Sequence, residues 1–202
     1  MDAAIAAVAV QGVVEPHMTG IGGDCFALFS MKGSAPVALD GSGRAPSGAA
    51  AAWYADRGFN GIPAESPHAV TIPGAISAWC RLIEDNGTKP LAELLEPAIK
   101  LAEHGLLVTP RVEYDWKRNA TKLVADENAR RVFLPSGKAP EVGDRFYNPV
   151  LADTLRKIAR SGSAAFYEGE VARTLTVKRR AGGDTAAALH RGPPRPGPHG
   201  AG

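Results

Sequence analysis

Hydrophobic positions fall into two regimes along the chain. From Asp2 to Val14 they are small and almost continuous, with Ala3, Ala4, Ile5, Ala6, Ala7, Val8, Ala9 and Val10 in one run. That pattern predicts a helix over 2–14, apolar nearly all round and so buried on most sides. A glycine-rich loop, Glu15 to Asp24, leads into Cys25-Phe26-Ala27-Leu28-Phe29-Ser30-Met31, a run of strand length. Lys32-Gly33-Ser34 is a turn and Val37-Ala38-Leu39-Asp40 a second strand, so 25–40 reads as a β-hairpin. Ala49 to Arg57 reads as helix, and His68 to Ile72 as a short strand ending at Pro73-Gly74.

Beyond Gly74 the period turns helical. Ile76, Trp79, Cys80 and Ile83 define one apolar face within a helix over 75–84. Leu91, Leu94 and Leu95 begin another helical piece. Pro97 suits the first turn of the next helix, which Gly105 ends. Segments 111–128 and 149–160 read as further helices, the second with Val150, Leu151, Leu155, Ile158 and Ala159 on its apolar face. Strands come first and a block of helices follows. That is the order of an α+β fold, or of one half of a layered α/β fold.

Composition sharpens this. The chain has 202 residues, 45% apolar and 22% charged, the balance of a globular protein with one ordinary domain. No apolar run reaches the ~18 residues of a membrane span. The net charge of +2 comes from the end of the chain. From Lys178 onward five basic residues face Asp184 alone, while the remainder carries 18 basic and 20 acidic residues. The body therefore has no basic excess for nucleic acid. Residues 178–202, with Gly-Pro-Pro-Arg-Pro-Gly-Pro near the end, cannot bury enough apolar area to offset ordering and are expected to be disordered.

Candidate chemistry is sparse. The loop Thr19-Gly20-Ile21-Gly22-Gly23-Asp24 lies between helix and strand, the reverse of a phosphate loop, and lacks the Walker Lys and Ser/Thr. Its glycines are read instead as allowing close approach of another chain or a substrate to the main chain. Histidines 17, 68, 104, 190 and 199 show no metal-binding spacing, and no metal or cofactor is expected. His17 could orient a neighbour but reads first as a structural residue. Cys25 and Cys80 sit in apolar runs and are read as buried free thiols, a setting that keeps a thiol protonated and unreactive. Trp53, Trp79 and Trp116 read as packing residues. Arg44 stands in a glycine-flanked turn just past a strand. There it could hold a carboxylate, or form an ion pair with Asp40 or Glu15.

Taken together these segments resemble the γ-glutamyltransferase (γ-glutamyl transpeptidase) family. The resemblance rests on Asp2-Ala3-Ala4-Ile5-Ala6-Ala7, Gly12-Val13-Val14-Glu15-Pro16-His17, Gly20-Ile21-Gly22-Gly23, Leu39-Asp40-Gly41 and Ala45-Pro46. It continues through Val70-Thr71-Ile72-Pro73-Gly74-Ala75, Leu91, Pro97-Ala98-Ile99, Leu101-Ala102-Glu103, Gly105 and Phe166-Tyr167-Glu168-Gly169, in the family's order over residues 1–177. It implies an αββα Ntn-hydrolase sandwich, of which this chain would form the large-subunit portion. It also implies a precursor that cleaves itself to expose a threonine at the start of a small subunit. That threonine would attack a γ-glutamyl amide such as glutathione and pass the acyl group to water or an amino acceptor.

No Gly-Thr-Thr-His segment occurs in this sequence, so the resemblance assigns no catalytic residue here. Its expected partners are the small subunit of the same precursor and a small acid-bearing amide. The one site residue it suggests is Arg44, as a substrate-carboxylate ligand. Standard members carry Asp-Gly-Arg after the strand. Here the arginine comes two residues later, in Asp40-Gly41-Ser42-Gly43-Arg44. That resembles the branch holding cephalosporin acylases and an oxamate amidohydrolase, which makes an acylase or amidohydrolase the alternative. A non-catalytic partner module is the reading from another class. After 177 the family pattern fades, as a reading-frame error or premature stop would produce. With no signal peptide at the start, the expectation leans cytoplasmic, or periplasmic if sequence precedes Met1.

Overall fold

The computed structural model describes residues 1–181 apart from Ser47 and Glu65. The expected tail beyond residue 181 lies outside the described residues. The elements, in order, are α1 (Asp2–Val14), β1 (Cys25–Phe29), β2 (Val37–Gly41), α2 (Ala51–Ala55), α3 (Ala75–Asn86), α4 (Leu91–His104), β3 (Leu106–Leu107), α5 (Pro110–Val124), α6 (Glu127–Phe133), β4 (Arg145–Phe146), α7 (Pro149–Tyr167) and α8 (Glu170–Ala181). The α+β reading holds: helices with one small antiparallel hairpin and one two-residue strand pair. Two compact units emerge among the described residues, one formed by Met1, residues 21–91 and 157–181, the other by 2–20 and 92–156.

In the first unit β1 and β2 pair antiparallel, with Cys25 opposite Gly41 and Phe29 opposite Val37. Strand alternation puts Phe26 and Leu28 on one face, where they are 70% and 78% exposed. The other face packs on α3, whose Ala75, Ile76, Ala78, Trp79 and Leu82 are buried. Glycines let this happen. A Cβ on Gly41 would stand 2.5 Å from the Cys25 carbonyl oxygen and 2.7 Å from the Ala78 Cβ. One on Gly74 would run into the Gly41 carbonyl, and one on Gly43 into the Ile72 carbonyl. By contrast, a Cβ on Gly20, Gly22 or Gly23 meets nothing within 4 Å. Within this chain the close main-chain approaches are made by Gly41, Gly43 and Gly74.

His68 to Ile72 is not a strand. A 3-10 turn covers Pro67–Ala69, and the extended stretch that follows makes no ladder. Its Ile72 amide donates to the Arg44 carbonyl at 2.9 Å, a bond to a turn. The helix expected over 149–160 runs on to Tyr167 with a break at Gly162, whose φ of 59° and ψ of −144° suit glycine. Beyond it, α8 includes residues 178–181, so the helix extends past residue 177 into the segment expected to be disordered.

In the second unit α1 buries Ile5, Ala9 and Val13, one residue per turn, while Ala3, Ala4 and Ala7 are exposed. Within this chain the helix is therefore covered along one stripe. α4 passes through Pro97 without restarting. Leu94, Leu95, Ala98, Ile99 and Ala102 are buried on one face, and that packing offsets the ~3 kcal/mol cost of an interior proline. Pro97 itself faces out, where an unpaired carbonyl can be hydrated. Gly105, at φ 86°, ends α4 as expected. The helix read over 111–128 is two helices. Thr109 caps α5, with Pro110 at its first position, and Asp126 caps α6 by accepting from the Ala129 amide at 2.8 Å. Asp126 is thus a start signal that the periodic reading passed over. Trp116 packs edge-on against Phe146 and Phe133 and donates its indole N–H to the Phe133 carbonyl at 2.9 Å.

The glycine contacts set an expectation. Gly74→Ala forces backbone apart and should cost about 2 kcal/mol or more, whereas Gly22→Ala should stay within about 0.5 kcal/mol of the parent. Denaturant melts of both variants measure this.

Candidate functional site

Arg44 follows β2 in a turn whose main chain is tied on three sides. The Ser42 amide donates to Asp40 Oδ1 at 2.9 Å, and the Gly43 amide to Asp24 Oδ1 at 2.7 Å. The Arg44 carbonyl accepts from Ile72. The Gly23 carbonyl, one residue before Asp24, accepts from both Gly74 and Ala75 at 3.0 Å at the start of α3. The side chain of Arg44 is exposed, and it has no ion-pair or hydrogen-bond partner among the described residues. Asp40, one partner expected for it, is engaged with the turn amide.

Behind this turn stands Tyr167. Its hydroxyl donates to the Pro73 carbonyl at 2.7 Å and accepts from the Ser77 amide at 3.1 Å. Burial pushes the phenol up to about 12. The residues Phe166-Tyr167-Glu168-Gly169 thus carry a structural bond to the Pro73-Gly74 bend that the sequence alone did not reveal.

The other sequence candidates fall elsewhere. His17 Nε2 lies 3.2 Å from Asp115 Oδ2, and Arg111 Nε donates to the same oxygen at 2.5 Å. Asp115 is buried, so His17 is a partnered structural histidine, as expected. A cavity of about 230 Å³ opens beside it, lined by Pro16, His17, Trp116, Asn119, Lys122, Leu123 and Phe133. His68 is packed among the rings of Trp53, Tyr54 and Phe59, with centroids 5.5–5.7 Å away. Cys25 and Cys80 are unpaired and half-buried, and burial pushes both thiols up. Neither is poised as a nucleophile. Among the described residues no group of three His, Cys, Asp or Glu could hold a metal, and no helix is long and apolar enough to cross a membrane.

Comparison with known proteins gives the family of the chain. The family model described as Gamma-glutamyltranspeptidase matches residues 1–188. The chain is 37% identical over 176 residues to the "Glutathione hydrolase-like YwrD proenzyme" of Bacillus subtilis, covering 86% of this chain and 33% of that protein. It is 38% identical over 181 residues to the "Oxamate amidohydrolase proenzyme" of Klebsiella pneumoniae, covering 87% and 34%. A crystal structure of cephalosporin acylase from Bacillus halodurans superposes with a TM-score of 0.84 at 38% identity, covering 90% of this chain and 35% of that one. The chain spans about a third of the length of the curated relatives it matches.

The Tyr167 bond predicts an alkaline signature. The folded phenol holds its proton more tightly than the ordinary value of 10. Its contribution to stability is therefore complete below pH 10 and declines as pH rises from 10 to about 12. Tyr167→Phe should abolish that part of the decline. It should also cost about 1–3 kcal/mol, because the Pro73 carbonyl and Ser77 amide lose their partner. Urea melts at pH 8, 10 and 11.5 test both.

Proposed function

Since the chain belongs to the γ-glutamyltranspeptidase family, we propose that it is the substrate-acid-holding part of a γ-glutamyltransferase-like Ntn hydrolase, with Arg44 as the residue that binds the substrate carboxylate. The observation that carries this is the contrast within one turn. The main chain around Arg44 is tied down on three sides, while the guanidinium is exposed and without a partner among the described residues. A structural arginine would spend its five donors within the fold. This one presents a planar fork to solvent on a fixed base, which suits a carboxylate.

In this reading the chemistry belongs to a threonine at the head of a small subunit from the same precursor. Its hydroxyl attacks the amide carbonyl of a γ-glutamyl substrate such as glutathione, and its own α-amine takes the proton. The amide C–N bond breaks, the amine leaves with that proton, and an ester remains on the threonine. Water or an amino acceptor then releases the acyl group. Arg44 does not enter the bond changes and holds the acid end of the substrate in register. Phe26 and Leu28, apolar and exposed on the hairpin, form the face that a second sheet would cover.

A second reading keeps the mechanism and changes the acyl group. The arginine follows Asp40-Gly41-Ser42-Gly43 and not Asp-Gly, and similar proteins include an oxamate amidohydrolase and a cephalosporin acylase. The common element is an amide whose substrate carries a carboxylate.

Two measurements test the proposal. Calorimetric titration of the 202-residue chain with L-glutamate, oxamate and glutarate should show binding that Arg44→Ala weakens ten- to a hundred-fold, about 1.5–3 kcal/mol for a charge-assisted contact. Equal binding by the variant would return Arg44 to a structural role. The chain by itself should release no chromophore from a γ-glutamyl anilide. Turnover that copurifies with it would refute the assignment of the nucleophile to another subunit.

A further inference from the structure

We propose that Asp24 is a positioning residue for Arg44, acting through the Gly43 amide; this rests on the reading of Arg44 as the carboxylate ligand. The two carboxylates at this turn do different jobs. Asp40 bonds the amide two residues ahead of itself, a local turn that its own sequence provides. Asp24 reaches the turn from 19 residues away, out of the glycine-rich loop, and takes the Gly43 amide at 2.7 Å.

That bond is well placed to fix the direction of a side chain. It holds the Ser42–Gly43 peptide, one link before the peptide that precedes Arg44, and the Ile72 amide holds the peptide that follows Arg44. With the main chain pinned on both sides of Arg44, one residue before it and directly after it, its Cα–Cβ direction is narrowed and the guanidinium searches a smaller volume. Gly43 cannot be replaced in this role, because a Cβ there would strike the Ile72 carbonyl and stand 2.5 Å from Thr71 Oγ1. Asp24 is itself preorganised, since the carbonyl of Gly23 is bonded twice to the start of α3. Pre-fixed geometry is worth affinity because less freedom is lost when the ligand arrives.

The turn also excludes another mode of acid recognition. Successive free amides can cradle an anion. Here the amides of Ser42 and Gly43 are occupied by the protein's own carboxylates. An incoming carboxylate must be recognised by the guanidinium, in the field of two negative charges. This gives positioning a signature that charge alone would not share. If Asp24 acted only by its charge, removing it as Asn or as Ala would tighten acid binding alike. If Asp24 acts as an acceptor, Asn keeps the bond and Ala loses it, so the two variants part.

The experiment uses the full 202-residue chain. Phenylglyoxal modification of Arg44 is followed by peptide mass spectrometry, with oxamate and L-glutamate as protecting probes. Thermal melts establish that each variant is folded. In Asp24→Asn the acid concentration for half-protection should equal or fall below that of the parent. In Asp24→Ala it should rise about five- to tenfold. Asp24→Glu keeps the charge but moves the oxygens off the Gly43 amide by one methylene, and should rise likewise. It decides the matter if the alanine variant does not fold. Protection that is the same in the parent, Ala and Glu chains would overturn the role of Asp24 while leaving Arg44 as the acid ligand. No protection of Arg44 in the parent by either acid would overturn both.

Discussion

The architecture of the first unit depends on contact between bare backbones. Gly41, Gly43 and Gly74 bring the end of the hairpin, the Arg44 turn and the start of α3 so close that a methyl group at any of them would strike a carbonyl. At that spacing peptide groups bond directly, and the glycine-rich loop joins through the paired bonds at the Gly23 carbonyl. Glycine loses more chain entropy on folding than other residues. The return here is a junction of four chain segments whose backbones approach closely, with the Asp24 and Asp40 carboxylates bonded to the turn amides, closed on its far side by the Tyr167 hydroxyl. What stands on such a base is positioned by bonds to the main chain, from the Ile72 amide and from two carboxylates.

Electrostatics follow from the same junction. Asp24 and Asp40 are spent on turn amides, which converts two acids near Arg44 from ion-pair partners into scaffolding. A guanidinium left with solvent keeps its side-chain freedom and its hydration. Nothing similar exists around His17, where Asp115 and Arg111 close a network that is complete within its own unit. The difference between a finished network and an unfinished one separates the candidate site from the structural clusters.

Much of this was legible in the residues. The amphipathic repeats of α3 and α4 and the hairpin over 25–40 are strong local patterns, and the structure follows them. The position of Arg44 past a strand, directly after Gly41-Ser42-Gly43, made it the candidate ligand residue. What escaped is mostly non-local. The stretch to Ile72 has strand composition, yet its backbone bond goes to Arg44 and not to a ladder, and no periodicity encodes that choice. Which glycines make contact depends on what lies opposite, so the cluster at 20, 22 and 23 drew attention while Gly43 and Gly74 carried the packing. Pro97 was read as a boundary because its intrinsic cost is large, and burial on the opposite face outweighed it. The two-residue pairing of β3 with β4 is too short to leave a pattern.

The break at Gly162 has an evolutionary corollary. In an uninterrupted helix each residue added or lost turns everything downstream by about 100°. Tyr167 must aim its hydroxyl at Pro73, so a continuous α7 would make its length untouchable. Because the chain swivels at Gly162, five residues before Tyr167, the phase of the helix ahead of that point is decoupled from the aim of the phenol. Length variation can therefore accumulate in the earlier turns of α7 without unlatching the bend that carries the start of α3.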